Sequence, residues 1–280
     1  MSQPATWRRA AAVAAELPER GARLAVIGCG TSLFMAQAYA AVREGSGAGE
    51  TDAFAASEVP AGRRYDALLA ISRSGTTTEV ARALELSPDV RRYAITGVAE
   101  SPVAVAADHV VLLDFADEES VVQTRFATTT LAFLLAHLGI DVEPIARSAE
   151  AALAAELPFD PTSAASFVFL GRGWTVGLAN EAALKLREAA LATTEAYPAL
   201  EYRHGPIALA DSRTLVWALG DVDGDLLDDV RAVGASVVAT GNHPLADLVM
   251  IQRLAVALAR ARDLDPDQPR NLTRSVVLPS

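Results

Sequence analysis

An α/β fold built on parallel sheets is what this 280-residue sequence predicts. Three observations carry that reading. Short apolar runs alternate with longer helical ones, the runs end in glycine or small polar residues, and the pattern begins again in the second half of the chain. Residues 23–28, 65–72, 91–97 and 109–115 read as buried strands, with helices such as 31–42 and 77–86 between them. Residues 121–138, with Leu131, Phe133, Leu134, Leu135 and Leu138, form a long apolar helix, and Pro144 opens another that ends near Pro158. The stretch Phe159-Asp160-Pro161-Thr162-Ser163 is the linker candidate. Beyond it, strands are expected at 166–170, 213–219 and 236–240, with helices around Lys185, at 226–233 and at 248–262. The expected division is residues 1–158 and 159–280, each a doubly wound, flavodoxin-like parallel sheet flanked by helices, the second shortened.

Composition narrows the function classes. A hydrophobic content of 51% supports buried cores and argues against extended disorder. The first residues lack the apolar h-region of a secretory signal, and no apolar run approaches the length of a membrane span, so the expected location is the cytoplasm. Cys29 is the one cysteine, which excludes an internal disulfide, and the four histidines show no zinc-ligand spacing. No metal and no cofactor are expected. A net charge of −11 disfavours nucleic acid and anionic membrane as partners, while small phosphates remain accessible to local amides and hydroxyls.

Of the 24 lysine and arginine residues, Lys185 alone is lysine. A compact ammonium kept where every other cation is a planar guanidinium suggests a geometry that arginine cannot satisfy. Strong helix formers surround it, and they set Glu181, Lys185 and Glu188 at i, i+4 and i+7 on one face. On an isolated helix such a row is an ordinary solvated face. Further on come Glu201-Tyr202-Arg203-His204-Gly205-Pro206, and earlier two loops where an apolar strand gives way to a helix: Gly28-Cys29-Gly30-Thr31-Ser32 and Ser72-Arg73-Ser74-Gly75-Thr76-Thr77. Small residues at such a turn let amides and hydroxyls surround an anion, although Ser and Thr also cap helices routinely. The first loop is no dinucleotide fingerprint, because Leu33 occupies the last glycine position of GxGxxG. Cys29 reads as a small buried residue rather than a nucleophile. His109, His137 and His243 read as structural, as do Trp174 and Trp217.

These segments, together with Leu170-Gly171-Arg172-Gly173 and Asp267-Gln268-Pro269-Arg270-Asn271-Leu272, resemble the isomerase half of glucosamine-6-phosphate synthase, two sugar-isomerase (SIS) domains in tandem. The resemblance implies an enzyme acting on a sugar phosphate, with Ser32, Ser72, Ser74 and Thr77 holding the phosphate. Arg73 stands where the synthase carries glutamine and would add a charged donor. Glu188 would be the C1/C2 base, its pKa raised by burial, and His204 the ring-opening group, supplied across a homodimer. Lys185 would assist them, with Glu181 either orienting or reacting. Thr31, Val121 and Thr124 are weaker candidates for the sugar, beside Arg125 in the same segment.

Two departures shape what is expected. The sequence starts Met1-Ser2 with no terminal cysteine nucleophile and no length for an ammonia-producing domain, so glutamine-dependent synthesis is not expected. Arg274 stands where the synthase has a lysine able to form an imine with the open sugar, which a guanidinium does not do. The expected activity is isomerisation of an amino-sugar or hexose 6-phosphate by ring opening and C1/C2 proton transfer. The same enolisation would serve a deaminase, deglycase or dehydratase, and a sugar-phosphate sensor without catalysis is the competing class.

Overall fold

The computed structural model of the chain describes residues 2–278; Met1, Pro279 and Ser280, which the expected division includes, lie outside the described residues. The chain forms two compact units. One comprises Ser2–Glu119, Gln123–Glu143 and the tail from Thr273; the other comprises Ser120–Val122 and Pro144–Leu272.

In the first unit, five parallel strands, β1 (Leu24–Gly28), β2 (Thr51–Ala55), β3 (Ala67–Ser72), β4 (Arg91–Thr96) and β5 (His109–Leu112), lie in the order β2-β1-β3-β4-β5. Its helices are α1 (Gln3–Ala11), α2 (Thr31–Gly45), α3 (Thr78–Glu85), α4 (Pro102–Ala106) and α5 (Arg125–His137). β1 and β3 are buried at every residue, as expected of central strands covered on both faces. α1, unforeseen in the sequence, docks on α5 through Trp7, whose Nε1 donates to Thr128 Oγ1 at 3.1 Å, and through Thr6 and Thr129, whose hydroxyls lie 2.8 Å apart. Thr128 and Thr129, both fully buried, owe their place in an otherwise apolar helix to these contacts with α1.

The second unit holds a four-stranded parallel sheet, β6 (Ser166–Gly171), β7 (Thr193–Pro198), β8 (Thr214–Leu219) and β9 (Ser236–Val238), in the order β7-β6-β8-β9. It is flanked by α6 (Glu143–Ala154), α7 (Thr175–Ala190), α8 (Gly224–Ala232) and α9 (Pro244–Ala261). From Pro144 onward α6 packs with this unit, although the sequence division grouped it with the first. Ile145, Ala146, Ala149 and Ala152 are buried, and Arg253 of α9 donates to the carbonyls of Ala152 at 2.6 Å and Ala155 at 2.8 Å, closing the helix end. Both strands absent from the sequence reading, β2 and β7, are sheet edges. Their residues are mostly half-buried and mixed in polarity, so they form no apolar run, and an edge tolerates Pro198. No helix among the described residues is long and apolar enough to cross a membrane.

α9 begins at His243, whose Nδ1 accepts the Leu245 amide at 3.2 Å while the ring lies 5.7 Å from Trp174. Burial lowers the imidazole from its usual 6.5 to about 4, so the folded chain keeps it neutral. The unfolded chain takes the proton first, so this contribution to stability is complete above about pH 6.5, falls as pH drops toward 4, and is gone below it. Asp247, in the next turn, is raised by burial and works in the opposite sense. We expect urea unfolding at pH 7.5 and pH 5 to show the wild type losing more stability than His243→Asn, which keeps a capping acceptor. The full effect, reached at pH 4, is at most about 3 kcal/mol.

Candidate active site

In the five-stranded sheet, strand order reverses between β1 and β3, and the loops leaving their carboxyl ends flank that switch point. The 29–32 loop enters α2 through Gly30 at φ +55°, and β1 ends in Gly28, where a Cβ would come 2.6 Å from the backbone of Ser32. Thr31 and Ser32 are buried at the first turn of α2. Burial raises the half-buried Cys29 thiol, which leaves it a poor nucleophile.

The 72–77 loop is organised by its own hydroxyls. Ser72 Oγ accepts the Gly75 amide at 3.2 Å, and Ser74 Oγ accepts the Thr76 amide at 3.2 Å. Bonds of this kind occupy lone pairs and leave the O–H protons available to an anion. Gly75, at φ +65°, admits no side chain, since a Cβ would sit 2.0 Å from Ser101 Oγ. Thr77, at the N-cap of α3, makes no side-chain cap to that helix, so ordinary capping does not use its hydroxyl.

Arg73 is 1% exposed, and its Nη2 donates to the carbonyl of Arg274 at 3.3 Å. Arg274 in turn places Nη2 2.6 Å from both oxygens of Asp117 and donates from Nη1 to Glu118 O at 2.6 Å. Thr124 spends its hydroxyl on Glu118 Oε2 at 2.8 Å, and Arg125 binds the carbonyls of Ala116 and Asp117. Glu118 also accepts the amides of Thr124, Arg125 and Phe126, fixing the start of α5. Asp117 and Glu118 escaped the sequence reading, because acidic residues in a loop carry no local sign of what they will accept. Val121 is half-buried and belongs to the other unit, where its amide donates to Asp267 O at 3.4 Å.

In the second unit, α7 packs on β6, β7 and α9 with an alanine-rich face, and Arg262, just past the end of α9, caps it through Ala190 O at 2.7 Å. The row read from the sequence turns inward. Lys185 Nζ lies 3.4 Å from Glu181 Oε1 and 2.5 Å from Glu188 Oε2. The side chains of Glu181 and Lys185 are 0% and 2% exposed, whereas Glu188 keeps 19%. Burial, expected of Glu188, is partial there and complete at Glu181. One buried ammonium faces two carboxylates, the outer of which reaches the surface.

His204 ends the 3-10 turn Ala199–His204 and is exposed. Its turn is anchored by Tyr202, 1% exposed in the core, whose hydroxyl burial pushes up to about 12, and by Arg203, whose Nε donates to Asp229 at 2.8 Å.

Because Glu181 is sealed from water, deleting its cation leaves a buried charge facing Glu188. We expect Lys185→Met to cost about 3–5 kcal/mol in urea unfolding, and Glu181→Gln combined with it to recover much of that loss. Additive losses would mean that the pair acts through packing alone.

Residues 17–138 match the SIS domain family model. The chain is 28% identical over 308 residues to the glutamine-fructose-6-phosphate aminotransferase (isomerizing) of Sulfolobus acidocaldarius, across 95% of this chain and 52% of the relative. It thus spans about half the length of the aminotransferases it matches. Among solved structures, glucosamine-6-phosphate deaminase from Thermotoga maritima superposes with a TM-score of 0.81 at 28% identity, covering 92% of each chain. The C-terminal domain of the Francisella tularensis aminotransferase gives 0.84 at 22% identity over 96% of each, a likeness of fold.

Proposed function

We propose that the chain is a sugar-phosphate enzyme with two SIS-type units, acting on an amino-sugar or hexose 6-phosphate by ring opening and proton transfer between C1 and C2. The observation that carries this is the Glu181-Lys185-Glu188 cluster, a solvent-reaching carboxylate braced by a buried ammonium. Moving a proton between adjacent carbons calls for a fixed carboxylate base. In this reading Glu188 takes the proton from one carbon and returns it to the other, its Oε2 held by Lys185 so that Oε1 faces the substrate. Glu181 orients Lys185. The hydroxyls of Ser32, Ser72, Ser74 and Thr77 hold the phosphate, and the structured 72–77 loop supports that role. His204 opens the ring.

A deaminase is the second reading, favoured by the Thermotoga maritima glucosamine-6-phosphate deaminase, which is alike over 92% of this chain. Both outcomes share the enolisation step, and Arg274, paired with Asp117, supplies no imine to either.

In heavy water with glucosamine 6-phosphate or fructose 6-phosphate, we expect deuterium to enter C1 or C2 by NMR, with new signals naming the product. Glu188→Gln should lower exchange at least about 10²-fold while binding persists, and Ser74→Ala should weaken binding about fivefold with exchange retained at saturation. Tight binding with no exchange in the wild type would leave a sensor.

We further propose a homodimer in which His204 serves the neighbouring copy's site. Its exposure, with Leu200 at 45% and Leu209 at 74% beside it, supports this. Mixing Glu188→Gln and His204→Asn proteins, each inactive, should then restore part of the activity through hybrid dimers. No recovery would assign His204 to its own subunit.

A further inference from the structure

Against the 72–77 loop, within the five-stranded unit, lies the segment that leaves β4 and enters α4. Two of its side chains, Thr96 at 0% and Ser101 at 1% exposure, are buried hydroxyls that the proposed chemistry does not use. The tail meets the loop as well, where Thr76 Oγ1 donates to Ser275 Oγ at 2.9 Å and, one residue on, the Thr78 amide donates to Val276 O at 3.2 Å.

The direction of both buried hydroxyls is fixed by their partners, because a carbonyl only accepts and an amide only donates. Thr96 Oγ1 accepts the Val98 amide at 3.2 Å and gives its proton to Arg73 O at 3.4 Å, an oxygen that also takes the Gly97 amide at 3.0 Å. Ser101 Oγ accepts the Ala104 amide at 3.3 Å, capping α4, and donates to Val98 O at 3.0 Å. Each has spent its proton inside the protein, so neither is a donor to an anion.

What they hold is the main chain of the loop. Arg73, whose carbonyl Thr96 binds, separates Ser72 from Ser74. Gly75 rests on Ser101, where its own Cβ would meet the Ser101 hydroxyl, and its carbonyl accepts the Val103 amide from the first turn of α4 at 2.9 Å. The Gly75 amide goes to Ser72 Oγ at 3.2 Å, which leaves the Ser72 proton to point elsewhere. At φ +65° a glycine has many other conformations open to it, so that amide stays on Ser72 only while the residue is held.

We propose that Thr96 and Ser101 are positioning residues for the phosphate. Thr96 fixes the Arg73 peptide, and Ser101 fixes Gly75 both directly and through α4, so that the Ser72 and Ser74 hydroxyls are presented together. The role rests on the reading of the 72–77 loop as the phosphate site; the brace itself does not.

Calorimetric titration with glucosamine 6-phosphate tests the role. Ser101→Ala and Thr96→Val should each weaken binding about fivefold, the effect of one neutral hydrogen bond. Combined with Ser72→Ala, Ser101→Ala should add little, because the hydroxyl it positions is already gone; combined with Ser32→Ala on the other loop, its loss should appear in full. A merely structural role would weaken both backgrounds alike. Undiminished affinity, or equal losses in the two backgrounds, would overturn the positioning role. Thr96→Val keeps the shape of its side chain and, compared in the same way in Ser74→Ala and Ser32→Ala backgrounds, decides the matter if Ser101→Ala does not fold. Hydrogen exchange without ligand tests the brace: Ser101→Ala should speed exchange of the Gly75 amide about tenfold, and an unchanged rate would overturn it. A wild type that binds no sugar phosphate removes the phosphate reading and the positioning role together, while the exchange measurement still decides the brace.

Discussion

Every strand pairing in both sheets is parallel, and the placement of the chemistry follows from that constraint. Parallel neighbours need long crossovers, so helices cover the faces, and all loops leaving a strand's carboxyl end emerge along one edge. In the five-stranded sheet this sets the two hydroxyl-rich loops side by side at the switch point. The four-stranded sheet has the same geometry between β6 and β8 and uses it differently. There Thr175 at the start of α7 donates to Leu219 O at 2.9 Å, and a Cβ on Gly220 would lie 3.1 Å from Pro244, so packing fills the crevice. What α7 carries is held in its body, around Lys185.

The electrostatics follow a common economy. With a net charge of −11, the chain is a poor general attractor of anions, so the proposed phosphate site would have to work through local donors. At the 72–77 loop, Arg73 donates to the Arg274 carbonyl, and Arg274 pairs with Asp117. In α7, one compact ammonium sits between carboxylates three and four residues away. The lone lysine of an arginine-rich sequence is the cation that those two carboxylates share.

Central strands were legible in the sequence because they are buried on both faces and must be continuously apolar, as in β1, β3 and β8. The edge strands β2 and β7 were not, since an edge needs neither an apolar run nor a full set of amides. α1 was hidden for a related reason: its Trp7 and Thr6 acquire meaning only against Thr128 and Thr129, more than a hundred residues away.

By itself, the sequence determined the parallel α/β class, the small-residue loops after β1 and β3, and the spacing that aligns Glu181, Lys185 and Glu188 on one helix face. These are local properties, written in periodicity, glycine and helical repeat. Tertiary structure decided which carboxylate is sealed and which reaches water, that Arg274 pairs with Asp117, and that the tail lies against the 72–77 loop. Each of those depends on desolvation or on partners distant along the chain, and local sequence encodes neither.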